Sequence, residues 1–159
     1  MRVLGIDPGL ADLGWGVVEK NGRTLSCLGY GCIQTASHLD LCDRLLHIYQ
    51  ALASLFQEYQ PTHGAVEELY FMKNISSALP VAHARGVVLL CLSLHNCPTV
   101  SYTPNNIKQA VTGSGHANKE TVQQMTKLLL GLPEIPKPNH AADALACALC
   151  RINMGEYHV

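Results

Sequence analysis

The dipeptide Asn21-Gly22, between two apolar segments, is the strongest short-range signal for a β-hairpin. The flanking segments, 13–20 and 24–35, are both typical of strands. Another apolar run, Arg2–Asp7, precedes them and stops at the turn signal Pro8-Gly9. We therefore expect the first part of the chain to form three antiparallel strands in a meander.

The hydrophobic period changes after this predicted meander. From Leu41 to Tyr59, apolar side chains recur every three or four residues, which predicts an amphipathic helix that ends before Pro61. The segment 62–67 is then predicted to be a strand. Because a helix connects it to the meander, it should lie parallel to an earlier strand.

The second half of the chain alternates between helical and strand-like segments. We expect a helix at 76–96 with Ser77 as its N-cap, because Pro80 is tolerated only near the start of a helix. The remaining segments are a strand at 99–103, a helix from a cap near Asn118 to Gly131, and a final helix at 138–150. This order predicts an α/β fold with a five-stranded mixed sheet flanked by helices, in one domain over residues 1–159.

Composition limits the functional classes. Of the 159 residues, 48% are hydrophobic and 14% are charged, which is typical of a folded globular protein. The net charge of −1 gives no overall argument for nucleic-acid binding, so that case depends on local sites. The N-terminus does not resemble a signal peptide, so we expect a cytoplasmic protein with its seven cysteines reduced. Cys147 and Cys150 are expected to be core residues rather than zinc ligands.

Two carboxylates stand at the ends of predicted strands. Asp7 ends the first strand and Glu67 ends the fourth, and ligands of α/β sheets gather at such strand ends. If the two strands are neighbours, the carboxylates repel each other, and a divalent cation is the simplest compensation. His140 and Asp143, three residues apart on one helix face, would complete a metal site if their helix begins over the same edge.

Each of these residues also has an ordinary structural explanation. Asp7 could be a turn residue, and Asp143 could simply stabilise a helix N-terminus. Glu67 could be a solvated strand end, and its neighbour Glu68 competes for any role in the site. Asn139 or His140 could only cap the last helix. Two residues at strand ends and two on one helix face nevertheless favour the metal site.

Several motifs resemble the RuvC family of Holliday junction resolvases. They are GIDPG at the end of the first strand, VEE followed by aromatics, and HAADALACA in the last helix. The likeness also takes in GYGCI, KNISSAL, HARG and IKQAVTGSGHANK, so it covers nearly the whole chain. It implies an RNase H-like fold and a metal site formed by Asp7, Glu67, His140 and Asp143. Family members carry either Asp or His where His140 stands, and the resemblance gives Glu68 no metal role.

The resemblance also implies an activity and partners. The expected reaction is metal-dependent hydrolysis of four-way DNA junctions during recombination and repair. Paired symmetric nicks would leave 5′-phosphate and 3′-hydroxyl ends. Two Mg²⁺ ions per site are expected with DNA bound, and Mn²⁺ should replace them. Two symmetric cuts imply a homodimer, and the apolar segment 87–94 is either core or the contact between two copies. RuvA and RuvB, the branch-migration proteins, are implied partners.

The predicted DNA contacts follow from position and from the resemblance. Tyr70, with Phe71 as the alternate, would probe the junction by stacking on or wedging between bases, although core packing is the ordinary role of such residues. Lys108 and Lys119 bracket the Gly113-Ser114-Gly115 turn, and the resemblance places both near the DNA backbone. Lys73 and Arg85 are weaker candidates.

Three other functions fit parts of the pattern. Another RNase H-like nuclease would cut RNA–DNA hybrids or other branched DNA, and preference for a four-way junction separates it from a resolvase. A nucleotide-binding domain of the actin and sugar-kinase type also opens with a strand, an aspartate and a glycine, and ATP binding would reveal it. A protein that binds junctions without cutting them would lack metal-dependent nicking.

Overall fold

Five strands and five helices make up the part of the chain that the structure describes, residues 1–69 and 75–154 of a computed structural model. The strands are β1 (Arg2–Asp7), β2 (Asp12–Asn21), β3 (Thr24–Gln34), β4 (His63–Glu67) and β5 (Thr99–Tyr102). The helices are α1 (Leu41–Tyr59), α2 (Ile75–Leu94), α3 (Pro104–Thr112), α4 (Lys119–Leu129) and α5 (Asn139–Met154).

The strands form one mixed sheet in the order β3-β2-β1-β4-β5. The β1–β2 and β2–β3 pairs are antiparallel, so the predicted meander is confirmed. The β1–β4 and β4–β5 pairs are parallel, as expected for strands reached through helices. Strand β1 therefore lies in the middle of the sheet, with a parallel neighbour on one side and an antiparallel neighbour on the other.

Helices cover both faces of the sheet. On one face, Leu4 and Ile6 of β1 share a buried cluster with Leu52 of α1 and Val88 of α2. On the other face, a second cluster joins Val3 of β1 and Ala65 of β4 to residues of the remaining helices, namely Ile107, Val111, Val122, Leu145 and Leu149. Because both faces are covered, β1 has a continuous apolar run rather than alternating polarity.

Helix α5 lies directly against the sheet because the facing strand residues are glycines. A β-carbon at Gly5 would overlap the carbonyl oxygen of Ala144, and one at Gly14 would overlap that of His140. At Gly16 it would lie 2.7 Å from the side chain of Leu145. The alanine-rich sequence of α5 completes this close approach, which places the start of the helix over the ends of β1 and β2.

The structure differs from the sequence prediction at two helices. Helix α2 begins at Ile75, so the prediction of Ser77 as its N-cap is wrong and Pro80 lies inside the helix. Proline there removes one backbone hydrogen bond, but Ala84, Val88 and Leu92 of the same helix are fully buried and anchor it.

Across residues 1–69 and 75–154, no helix combines the length and apolar character needed to span a membrane.

Helix α3 was missing from the predicted element order. Its N-cap is Thr103, whose hydroxyl accepts from the backbone of Asn106, and Pro104 occupies the first helical position. This proline and the reciprocal cap are the signals that could have identified the helix. The predicted cap of α4 is confirmed, since Asn118 Oδ1 accepts from the backbone N–H of Thr121 at 2.8 Å. Cys147 and Cys150 are fully buried, as expected.

Candidate active site

Two carboxylates meet at the carboxyl end of the parallel pair β1–β4. Ile6 is in register with Val66, so Asp7 and Glu67 occupy the next position of each strand. Because side chains alternate along a strand, both carboxylates point to the face that α5 covers, like Gly5 and Ala65 before them. The structure thus brings together the two strand-end residues that were predicted to be neighbours.

The first two turns of α5 supply two further groups that could bind a metal ion, His140 and Asp143. His140 Nδ1 lies 2.7 Å from Asp7 Oδ2, an arrangement in which the ring N–H donates to the carboxylate. One ligating atom from each of Asp7, His140 and Asp143 falls within 4.8 Å of the others. Asp7 is the most enclosed of these, with 17% of its side chain exposed against 25% for Asp143 and 48% for His140.

Glu67 interacts electrostatically with Asp7 and Asp143, and its neighbour Glu68 lines the same cavity. Burial raises the pKa of Glu67 to about 7, and the negative charges of Asp7 and Asp143 act in the same direction. Glu68 is exposed, and its backbone N–H donates to the carbonyl oxygen of Tyr102. Because β4 ends at Glu67, the alternation of side chains along the strand does not fix the direction of Glu68.

Burial also governs the ionisation of Asp7. The pKa of Asp7 is raised above its ordinary value because burial outweighs the hydrogen bond from His140, which favours the carboxylate. The charge of Asp143 raises this pKa further, while Lys119 opposes that effect. Lys119 Nζ contacts Asp143 Oδ2 at 2.8 Å. The site therefore concentrates negative charge where little water can screen it.

The donor set fits a divalent cation. One oxygen or nitrogen atom of each of Asp7, His140 and Asp143 lies within 4.8 Å of the others, so one ion could bind all three after the His140 ring gives up its hydrogen bond to Asp7. Three carboxylates and one imidazole offer the oxygen-rich ligands that hard or borderline cations prefer. A cation there would also offset the repulsion that raises the pKa of Glu67.

The four residues line a cavity of about 560 Å³. Lys108 and Lys119 also line it, so cationic groups stand beside the carboxylates. Apart from Glu68, the remaining lining residues form an apolar wall, namely Pro8, Gly9, Leu69, Val81, Pro104, Ile107, Val122 and Ala146. This wall could not be predicted from the sequence, because six separate segments contribute to it and no local pattern marks it.

The predicted DNA-contacting residues have different placements. Lys108 and Lys119 both line the cavity. Arg85 Nη2 instead donates to Ser101 Oγ on β5 at 2.7 Å, which directs its guanidinium to the sheet. Tyr70, Phe71 and Lys73 lie outside the described residues, so their roles remain predictions.

A family model decides the relationship of this chain. The model of RuvC, described as crossover junction endodeoxyribonuclease RuvC, matches residues 3–151. The chain belongs to the RuvC family. The RuvC of Treponema denticola is 48% identical over 154 residues, covering 97% of this chain and 86% of the relative. That of Caldicellulosiruptor saccharolyticus is 50% identical over 153 residues, covering 96% and 92%.

Solved RuvC structures confirm the RNase H-like architecture. Thermus thermophilus RuvC in complex with a Holliday junction substrate has a TM-score of 0.92 and 37% identity, covering 97% of this chain and 94% of that one. The yeast mitochondrial resolvase Ydc2, at a TM-score of 0.67 and 14% identity, shares the fold, covering 95% of this chain and 78% of that one. Membership of the RuvC family implies dependence on a divalent metal and excludes the actin and sugar-kinase type.

Proposed function

We propose that this chain is an endonuclease that resolves four-way DNA junctions in recombination and repair. The observation that carries the proposal is the cluster of Asp7, His140 and Asp143 within 4.8 Å, beside Glu67, in a chain of the RuvC family. The products are paired nicks with 5′-phosphate and 3′-hydroxyl ends. Residues 1–159 act as one nuclease domain, and we place it in the cytoplasm, which fits an enzyme that acts on DNA.

Asp7, Glu67, His140 and Asp143 would hold the metal. Mg²⁺ or Mn²⁺, with two ions per site when DNA is bound, supplies the Lewis acidity that activates water and stabilises the leaving oxygen. Asp7 contacts His140 and stands beside Glu67 at the neighbouring strand end, so it is the central ligand. The side chain of Asp7 is largely buried, whereas that of His140 is more exposed to solvent.

The lysines of the cavity would bind the DNA backbone. Lys108 and Lys119 neutralise phosphates next to the scissile bond, a contribution that does not depend on base sequence and weakens as salt increases. Tyr70 or Phe71 would stack on or wedge between bases at the crossover. Lys73 would add a further backbone contact, and Arg85 would do so if DNA drew its guanidinium away from Ser101 Oγ. RuvA and RuvB are the proposed protein partners.

The imidazole ligand predicts the metal preference of the enzyme. Mn²⁺ should support cleavage at least as well as Mg²⁺ at matched pH, because imidazole is a softer donor than the carboxylate oxygens that Mg²⁺ prefers. Initial rates of junction cleavage across a titration of each metal measure this. A His140→Asp variant is the matched control, and its ratio of Mn²⁺ to Mg²⁺ activity should fall. Much weaker activity of the unmodified enzyme in Mn²⁺ would contradict a ligand role for His140.

The exposed leucines of α2 predict a homodimer. Leu90 and Leu94 are 57% and 58% exposed, one turn apart on one side of a helix whose other side is buried. Two symmetric cuts need two active sites, and a self-complementary helix contact would supply them. Leu90→Glu should convert the dimer to a monomer in light scattering after gel filtration. Leu128→Glu, at a 72% exposed position on α4, should remain dimeric. A monomeric parent protein would refute this prediction.

Substrate preference distinguishes the proposed junction resolvase from another RNase H-like nuclease. The enzyme is offered a four-way junction, a three-way junction, a linear duplex and an RNA–DNA hybrid of matched sequence, each with metal. We expect the four-way junction to be cut and the hybrid to remain intact. Preferential cutting of the hybrid would instead support another RNase H-like nuclease. Junction binding without cutting in either metal would support a protein that only binds DNA.

A further inference from the structure

Lys119 stands where a cation would be expected to bind. Its Nζ contacts Asp143 Oδ2 at 2.8 Å, while half of its side chain remains exposed. Lys119 is the first residue of α4, and the Asn118 cap fixes the backbone beside it. The capped helix end therefore holds the backbone of Lys119 in place and positions its ammonium group next to Asp143. The side chain itself remains accessible to solvent.

We propose that Lys119 holds Asp143 in the DNA-free enzyme and weakens metal binding until a DNA phosphate draws the lysine away. Lys119 is then a positioning residue that couples metal loading to the arrival of DNA. This inference rests on the proposed function, because it takes Asp143 as a metal ligand and the cavity as the place where DNA binds.

The charge and position of the ammonium group support the claim that Lys119 weakens metal binding in the DNA-free enzyme. A divalent ion bound about 2 Å from the same carboxylate oxygen would lie at most about 5 Å from Nζ. Like charges at that separation in a partly buried site repel appreciably. Metal binding must overcome this repulsion or displace the lysine from Asp143. Lys119 also lowers the pKa of both Asp7 and Glu67, so its charge reaches the whole cluster.

The placement of Lys119 supports the claim that a DNA phosphate draws the lysine away from Asp143. Its side chain lines the same cavity as Lys108, so a phosphate in that cavity would offer it another anionic partner. An ion pair with half of the lysine exposed is weak enough to exchange. A flexible four-carbon stem lets the ammonium change partners without movement of α4. Contact with DNA would then remove the charge that opposes the metal.

Metal titration of the DNA-free protein tests whether Lys119 weakens metal binding. Loss of the free Mn²⁺ signal in electron paramagnetic resonance gives the affinity of the parent protein and of Lys119→Met, Lys119→Arg, Lys127→Met and Asp7→Asn. We expect Lys119→Met to bind Mn²⁺ about tenfold more tightly, because it removes the charge and keeps the stem. Lys119→Arg keeps the charge, and Lys127 lies in the last turn of α4, so both variants should match the parent.

The outcomes separate this inference from the proposed function. Equal or weaker Mn²⁺ binding by Lys119→Met overturns the inference, provided that Asp7→Asn loses binding. If neither the parent nor Lys119→Met binds Mn²⁺, the lysine is not the obstacle and the inference also fails. Unchanged binding in Asp7→Asn would place the metal elsewhere and remove the proposed function with it. Thermal unfolding of each variant without metal checks that the fold is intact.

A double-mutant cycle tests the coupling to DNA. Junction affinity is measured in chelator for the parent, Asp143→Asn, Lys119→Met and the double variant. Asp143→Asn frees the ammonium for DNA, so it should tighten junction binding severalfold when Lys119 is present. In the Lys119→Met background the gain should be clearly smaller, since only the loss of a repelling carboxylate remains. Equal gains in both backgrounds would show that the lysine does not exchange between Asp143 and DNA.

Discussion

Asp7→Asn is expected to reduce junction cleavage by at least about 10³-fold, equivalent to about 4 kcal/mol of transition-state stabilisation. Asp7 is the carboxylate that joins the parts of the site, since it contacts His140 and stands beside Glu67. Asparagine has nearly the same shape and still accepts a hydrogen bond, but it lacks the charge that holds a divalent cation. Single-turnover cleavage of a labelled junction in saturating metal measures the effect.

The same variant should retain junction binding and folding. Binding in chelator depends on lysines and on shape, so its affinity should equal or slightly exceed that of the parent. Asp12→Asn is the matched control, because Asp12 is a half-buried carboxylate that accepts from Gln34 Nε2 at 2.8 Å and stands outside the metal-binding cluster. It should cut normally. Cleavage by Asp7→Asn within tenfold of the parent would contradict the assignment of Asp7 as the central ligand.

Gly14→Ala is expected to lower the free energy of unfolding by about 3 kcal/mol and to weaken metal binding. Its added β-carbon would overlap the backbone carbonyl of His140, which is held by the helix and has no flexible end that could move aside. The start of α5 would have to lift from β2, carrying His140 and Asp143 away from the strand-end carboxylates. Urea unfolding measures the stability, and Mn²⁺ titration measures the site.

Gly86→Ala is the matched control for this substitution. Gly86 lies within α2, one turn before Leu90. Within one copy, an added β-carbon there meets no atom within 4 Å outside its chain neighbours and the backbone of its own helix. Alanine should therefore leave stability unchanged or raise it by up to about 1 kcal/mol, because it favours the helix. If Gly14→Ala were as stable as Gly86→Ala and bound Mn²⁺ equally well, close packing of α5 on the sheet would not position the site.

Local sequence signals predicted the sheet and the strand-end residues. Asn21-Gly22 identifies the hairpin, and the apolar run that stops at Pro8-Gly9 identifies the end of β1. Those signals act over a few residues and survive in the folded protein because the tertiary structure does not oppose them. The further rule that a helix connects parallel strands predicted only that β4 lies parallel to an earlier strand, and the structure shows that this strand is β1.

Long-range arrangements were not predictable in the same way. The contact of Lys119 with Asp143 joins residues 24 positions apart on different helices, and no sequence spacing specifies it. The apolar wall of the cavity depends on where α3 packs, and that helix was overlooked despite its Thr103 cap. Pro80 was assumed to mark the start of α2, but burial of the residues that follow it outweighs one missing hydrogen bond.

The most direct test of the central claim follows the four strands of a mobile four-way junction. Each strand carries its own label, and the products formed with Mg²⁺, Mn²⁺ or chelator are separated before and after treatment with DNA ligase. We expect metal-dependent nicks at symmetric positions in two opposing strands. DNA ligase should reseal them without further processing, because the ends are 5′-phosphate and 3′-hydroxyl. Nicks in one strand only, ends that ligase cannot join, or cutting in chelator would contradict the central claim.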